Sequence, residues 1–450
     1  MPQPKNRVAR REALKRCVAI AAPLVIPASA LGLDDRAPPS ERIRLGMIGC
    51  GGKGMDHLRS FLKYQDVEIV AVCDVDRRHH RDRLDGKGPT FGLEPALEAV
   101  KARAVQQAKG GGGSNCFGAA DYRELCGRGD VDAVVVATPD HWHAECDLEA
   151  IKQGKDVYAE KPLTHFFDEG RAVANAAKGA GIVFQTGSQQ RSEGNFRRAA
   201  ELVRNGVLGT IERVEVGLPA GYLMVNGDSS RTTVPATLDY QRWTGPAPML
   251  PYLQPRVHRW WRGHSAYGRG TLMDWIGHHN DIAHWGLDMD TSGPTEVAAI
   301  DWTWPSTDIY DTPVEFTVES KYASGTTVVI SSRNPLGTKF IGSEGWVYVD
   351  RGKLQASNMD WTRPSFDPGD VTLHHSNDHR RDWLDAIKTR GATICPAETG
   401  HRSITPGHLA FVSQALGRPV RWNPEEETFR DDAEATTLLR HRYREGWERG

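Results

Sequence analysis

Long hydrophobic runs, a charge surplus and paired cysteines are all scarce in this 450-residue chain. Each shortage removes a class of protein. The formal charge is −2, from 56 basic and 58 acidic residues. A chain so balanced has no electrostatic reason to bind nucleic acid or an anionic membrane. The seven cysteines form no Cys-x-x-Cys pair. Cys50 lies in a glycine-rich turn and Cys73 in an apolar run, so they read as small buried residues rather than a disulfide framework. The apolar stretch Cys17–Leu31 is too short, and too interrupted by Pro23 and Pro27, to span a membrane comfortably.

What that stretch does resemble is an export signal. Lys5, Arg7, Arg10, Arg11, Lys15 and Arg16 precede or open it, and Ala28-Ser29-Ala30 closes it. A basic region, an apolar core and a small-residue site make a cleavable signal peptide over residues 1–30. Arg10-Arg11 points to the twin-arginine route, although Ala13 stands where a large apolar residue is usual. The expected location is therefore the periplasm. Removing six of 56 basic and one of 58 acidic residues leaves 50 against 57, a mildly acidic mature chain. Residues 31–41 read as a linker.

The first chemistry-bearing stretch is Ile43–His57, IRLGMIGCGGKGMDH. A short apolar strand runs into Gly49, Gly51, Gly52 and Gly54 and then into a helix. Gly49, Gly51 and Gly54 fit G-x-G-x-x-G, with one glycine for the turn, one for approach to a pyrophosphate and one for helix–strand packing. The phosphates would lie on the helix N-terminus, where unpaired N–H groups and the helix dipole favour anions. A second apolar run, Val67–Cys73, ends on Asp74, twenty residues after Gly54, where a carboxylate meets the adenosine ribose. Arg77, Arg78 and Arg81 follow. They either bind a 2′-phosphate or form a solvated basic face, and Asp74 weighs against the phosphate. The cofactor read from this pattern is NAD, with NADP as the variant.

Further apolar strands follow at Val131–Thr138, Asp156–Ala159 and Ile182–Thr186, with helices between them. In an open parallel sheet, ligands gather at the carboxyl ends of strands. That places Thr138, Pro139, His141 and His143 of TPDHWH, and Glu160 and Lys161 of Glu-Lys-Pro, around the same crevice. The two histidines are either ligand contacts or helix-start residues.

These motifs, in this order and spacing, resemble the glucose–fructose oxidoreductase / inositol dehydrogenase (Gfo/Idh/MocA) family. The resemblance runs from about residue 41 to the C-terminus. It implies a Rossmann dinucleotide-binding domain (42–190), then an α+β domain (191–450) whose large, mostly antiparallel open sheet carries the substrate and often the oligomer contact. It also implies NAD(P)-linked oxidation or reduction of a sugar or polyol carbon.

The second half carries its own signal. Glu296–Thr303, Val314–Tyr322, Thr326–Ser331 and Gly345–Val349 alternate as strands do. Residues 220–270 are rich in Gly, Pro and aromatics. Trp260 and Trp261 either stack on a pyranose or pack as core. In DWIGHHNDIAHW, Asp274, His278, Asp281 and Trp285 fall on one helical face. A carboxylate one turn from a histidine orients the imidazole and raises its basicity, as a general base near neutral pH requires. The family resemblance assigns His278 as acid/base, Asp274 as its partner or a sugar contact, and Lys161 as the group that lowers the hydroxyl's pKa or relays its proton. Asp281, Trp261 and Arg191 are expected at the substrate. His278, Asp281 and His284 also have metal-ligand spacing, but hydride chemistry needs no metal and none is expected. The reading is a sugar, polyol or glycoside oxidoreductase acting as a homo-oligomer, dimer or tetramer. The rivals are an NAD-dependent glycoside-cleaving enzyme with no net redox and a non-catalytic sugar-binding protein. In the tail, Leu409–Leu416 is expected as a helix, with His401 and Arg402 before its start.

Overall fold

A computed structural model describes residues 37–80, 87–107, 115–225, 227–440 and 443–447. The expected signal peptide, the first part of the linker, Arg81 and the loop 110–114 lie outside the described residues.

The first half alternates strand and helix. The elements are β1 (Ile43–Ile48), α1 (Gly52–Phe61), β2 (Val67–Cys73), the small hairpin β3 (His79–His80) and β4 (Thr90–Phe91), α2 (Leu93–Gln107), β5 (Phe117–Ala119), α3 (Tyr122–Cys126), β6 (Ala133–Val136), α4 (His143–Lys152), β7 (Asp156–Ala159), α5 (Phe167–Ala180) and β8 (Phe184–Thr186). Six strands form one parallel sheet in the order β5-β2-β1-β6-β7-β8. All four residues of β6 and of β7 are buried, as expected for strands covered on both faces. Order reverses at β1, so the crevice for a ligand opens between β1 and β6, above their carboxyl ends.

The second half continues with α6 (Gly194–Arg204), β9 (Ile211–Gly217), the short α7 (Tyr240–Thr244) and α8 (Gly270–Leu287). Strands β10 (Glu296–Thr303), β11 (Glu315–Lys321), β12 (Thr327–Ser331), β13 (Gly337–Gly342), β14 (Gly345–Asp350) and β15 (Lys353–Ala356) follow. The chain ends with α9 (His379–Thr389), α10 (Ala397–Leu416), β16 (Val420–Asn423), β17 (Thr428–Phe429) and α11 (Ala433–Leu439). The nine-stranded sheet has the order β15-β14-β13-β9-β12-β11-β10-β16-β17 and is antiparallel except between β9 and β12. Phe316, Val318 and Ser320 of β11 are buried while their neighbours are partly open, so one face packs on helices and the other looks outward. The chain is thus an N-terminal Rossmann-like domain followed by an α/β domain with a large, mostly antiparallel sheet.

Two departures from the sequence reading have clear causes. Helix α10 begins at Ala397, so His401 and Arg402 lie inside it rather than before it. Pro406 interrupts the sequence pattern, yet the helix passes through it because neighbouring elements enclose it almost completely. The halves also interlock. Trp383 of α9 is fully buried against Phe61 of α1, ring centroids 5.9 Å apart, so a helix from the second half completes the first half's core.

Candidate active site

A single cavity of about 1170 Å³ runs from the glycine turn to the N-terminal half of α8. That exceeds a usual ligand pocket and suits a dinucleotide plus a substrate. At one end, Gly49 has φ 85° and its N–H donates to the Cys73 carbonyl at 2.9 Å. A side chain at Gly49 would meet the Ala137 carbonyl, and one at Gly54 would meet the Gly49 carbonyl. Gly51, by contrast, faces open space into the cavity. No side chain caps the start of α1, whose N-cap is Gly51, so its first N–H groups are left for an anion. The turn, the open Gly51 and the bare helix end together fit a dinucleotide pyrophosphate.

Asp74 lines the same cavity. Its carboxylate accepts the Cys50 N–H at 2.7 Å and the Asp76 N–H at 2.8 Å, which hold it in place and leave lone pairs for a ribose. Arg78 is taken up by Glu94 at 3.1 Å and by Glu98. It therefore belongs to a surface ion network rather than to a phosphate site. Arg77 is exposed.

Thr138, Pro139, His143, Glu160 and Lys161 all line the cavity. His143 braces it, with Nδ1 2.7 Å from the Pro162 carbonyl and Nε2 3.0 Å from the Thr138 carbonyl. Glu160 accepts from His57 at 2.7 Å and Gln189 at 2.8 Å. The Arg380 Nε donates to His57 Nδ1 at 2.9 Å, so the His57 proton sits on Nε2 and points at Glu160. Despite its burial, Glu160 is held well below the usual carboxylate range by Lys53, His57 and Lys161. His141 is placed differently from the expectation. It lies off the cavity, with Nε2 2.9 Å from the Trp243 carbonyl, and anchors the 220–270 segment to the cofactor domain. Burial pushes its pKa down to about 4.

At the other end, Lys161 Nζ donates to the Asp274 carboxylate at 2.8 Å and to the Asp274 carbonyl at 2.5 Å. Gly277 makes this approach fit, because a Cβ there would already press the Lys161 Cβ at 3.2 Å. Arg262 Nε reaches the same carboxylate at 3.0 Å. Two cations on one carboxylate hold Asp274 ionised, well below its usual range even though it is buried. Asp274 makes no hydrogen bond to His278 among those observed, so the expected orienting contact is replaced by the Lys161–Asp274–Arg262 cluster. The His278 Nδ1 is buried with no hydrogen-bond partner. Burial first, then the charges of Lys161 and Arg351, push its pKa well below the usual value. His278 is thus held in its neutral form, and its burial and the neighbouring cations both oppose proton uptake.

The expectation for Arg191 and Asp281 is corrected. Neither lines the cavity. Arg191 is 1% and Asp281 0% exposed, and they form a two-bond ion pair at 2.7 and 3.0 Å that Asp290 extends at 2.7 Å. The shared helical face with Asp274 is real, but only its first turns reach the cavity. Trp261 does line it and also packs in an aromatic cluster with Tyr240, Trp243 and Tyr267.

Asp140 is the residue that motif reading passed over. It is 3% exposed, lines the cavity and has its pKa pushed up to about 8 by burial, with Arg262 opposing. At neutral pH it is a carboxylic acid. As for metals, His284 donates to or accepts from the Tyr322 hydroxyl at 2.8 Å and Asp281 is committed to Arg191, so the His278/Asp281/His284 set does not assemble. Asp76, His79 and His258 place three ligand atoms within 4.8 Å of one another. The two imidazoles, however, stack at 3.7 Å and 10°, which keeps their in-plane lone pairs in nearly parallel planes.

Residues 43–188 match a family model described as oxidoreductase family, NAD-binding Rossmann fold, and residues 193–449 match oxidoreductase family, C-terminal alpha/beta domain. The chain is 23% identical over 402 residues to the uncharacterised oxidoreductase YrbE of Bacillus subtilis, covering 85% of this chain and 97% of that one. It is 28% identical over 179 residues to glycosyl hydrolase family 109 protein 1 of Shewanella sp. (strain ANA-3), a match that spans 39% of this chain and only 34% of that one. Among solved structures, aldose-aldose oxidoreductase from Caulobacter crescentus, complexed with glycerol, superposes with a TM-score of 0.58 at 18% identity. That match covers 84% of this chain and 99% of that one.

Proposed function

The chain belongs to the Gfo/Idh/MocA oxidoreductase family, with an NAD-binding Rossmann domain, and on that premise we propose that it oxidises or reduces a hydroxyl or carbonyl carbon of a sugar, polyol or glycoside. The observation that carries this reading is the Lys161–Asp274–His278 group at one end of the cavity and the open glycine turn at the other. The glycine turn, the bare end of α1 and Asp74 would hold the nucleotide. When bound, NAD accepts or returns a hydride. The chain's own groups manage the proton. Lys161, fixed by Asp274, donates a hydrogen bond to the reacting oxygen and stabilises its developing charge. His278, which lines the cavity, takes the hydroxyl proton in oxidation and returns it in reduction.

The export-like N-terminus and a dinucleotide site together favour a periplasmic protein that keeps its cofactor through turnover. Free NAD is scarce outside the cytoplasm, and retention needs a Kd on the order of nanomolar, about −12 kcal/mol. The test is purification without added nucleotide, mass spectrometry of what denaturation releases, and an assay on a sugar panel. Stoichiometric NAD and full activity without supplement support retention. A nucleotide-free protein that works only with millimolar NAD overturns it.

A second reading is favoured by Asp140 and by the glycosyl hydrolase family 109 relatives. Transient oxidation of a ring carbon would acidify the neighbouring C–H, loss of that proton and of the aglycone would leave a double bond, water would add across it, and reduction would restore the carbon. An acid protonated at neutral pH is what a leaving glycosidic oxygen needs. Release of aglycone with no net change in nicotinamide absorbance distinguishes this reading from net redox.

A further inference from the structure

The substrate end of the cavity includes an arginine that no carboxylate among the described residues meets at ion-pair distance. Lys161 and Arg262 share the single carboxylate of Asp274. Asp140, on the same wall, is uncharged at neutral pH. Arg351 adds a third cation. It sits in the turn between β14 and β15, which Asn195 ties down by donating to the Asp350 carbonyl at 2.7 Å and the Lys353 carbonyl at 3.0 Å. Its guanidinium lies 4.9 Å from the Trp275 ring centroid, and Trp275 in turn meets the His278 ring at 5.5 Å. All three residues line the cavity. Among the described residues Arg351 has no hydrogen bond and no ion pair. Glu193 shares the wall but forms no salt bridge with it.

This placement has a consequence for the base. The Arg351 charge acts on His278 in the same direction as Lys161, against proton uptake. An anion bound at Arg351 offsets that field next to the group that must receive the proton. The planar guanidinium, stacked on an indole with its N–H groups unengaged, is suited to a two-bond grip on a carboxylate or phosphate.

We propose that the substrate is an anionic sugar, a uronate or a sugar phosphate, whose charged group is bound by Arg351 over Trp275 at the cavity rim. The proposal rests on the sugar-oxidoreductase reading for its ring chemistry, but the anion subsite can be tested apart from it. The holoenzyme is titrated by calorimetry with glucuronate, glucose 6-phosphate and glucose, and the same three are assayed by nicotinamide absorbance. At least one of the two anions should bind about 10–100-fold more tightly than glucose, the size expected for a charge-assisted hydrogen-bond pair. In R351Q that preference ratio should fall at least about tenfold, through KM more than kcat, and R351K should restore part of it. The stronger of the two anions identifies a carboxylate or a phosphate subsite. Anion preference in binding with no turnover of any sugar keeps the subsite and overturns the redox reading. Glucose binding as well as both anions, binding of none of the three, or an R351Q ratio equal to that of the parent overturns the proposal.

Discussion

Helix α8 offers the same residue types twice, one end against the other. In its first turns Asp274 meets Lys161 and Arg262, and His278 follows. Two turns on, Asp281 meets Arg191, and His284 follows. Both carboxylates are paired with arginine and both histidines have lowered pKa values. The difference is access. Asp274 and His278 border the cavity, whereas Asp281 and His284 are sealed in the core, where Arg191 also lies over the Trp285 ring at 5.1 Å. One pair can act on a ligand. The other can only hold the helix against the 189–192 turn.

The sharpest way to break this comparison is to exchange the expected phenotypes. Lys161→Ala and His278→Ala should each lower turnover by about 10²–10⁴, with the melting temperature close to that of the parent. Steady-state kinetics beside calorimetry reads both, and near-normal turnover of His278→Ala removes it from the mechanism. At the core end, Asp281→Ala should destabilise by about 3–5 kcal/mol, because Arg191 loses its fully buried partner. Turnover per folded molecule should change little. Denaturant unfolding checks the first part and active-site titration the second. A stable Asp281→Ala protein with lost substrate binding would restore the substrate role expected from the sequence.

A smaller effect separates the backbone-built cofactor end from this side-chain-built substrate end. Asp74→Ser removes the carboxylate facing the ribose, and should relax preference for NAD over NADP by about 10–100-fold. Arg77 is the cation left to help, since Arg78 is held by Glu94 and Glu98. Competition between the two nucleotides for refolded apoprotein measures it. A parent protein that prefers NADP would reverse the assignment.

The same contrast explains what could be read from the chain. The cofactor end depends on glycines and short buried strands, and both leave marks in local sequence. The expected β7 and β10 coincide with the observed spans. Strands β13 and β15 were not anticipated, since GTKFIG and KLQA alternate weakly and take their place by pairing with β9 and β14. At the substrate end, helical spacing tells that Asp281 shares a face with Asp274 but not where that face leaves the cavity. Asp140 was hidden for a related reason. Its chemistry comes from burial beside Arg262 and Asp274, which are more than a hundred residues away.

Asp140 supplies the finest test, because its role can be read from pH alone. Its folded pKa is raised to about 8, against about 3.9 for an unfolded aspartate. Between those values the native state holds a proton that the unfolded chain has released. Stability contributed by the protonated group is therefore complete below about pH 4, declines as pH rises, and is gone above about pH 8. Each unit of the shift that survives relaxation of the site is about 1.4 kcal/mol. Asp140→Asn keeps the shape and removes the titration. Its melting temperature should exceed that of the parent by more at pH 8 than at pH 5. The outcome also bears on chemistry, since Asn cannot protonate a leaving group. If aglycone release is the reaction, Asp140→Asn should slow it while nicotinamide reduction by a free sugar persists. A variant with the parent's pH–stability slope would show that Asp140 is ionised at neutral pH, and the acid would have to be sought elsewhere in the cavity.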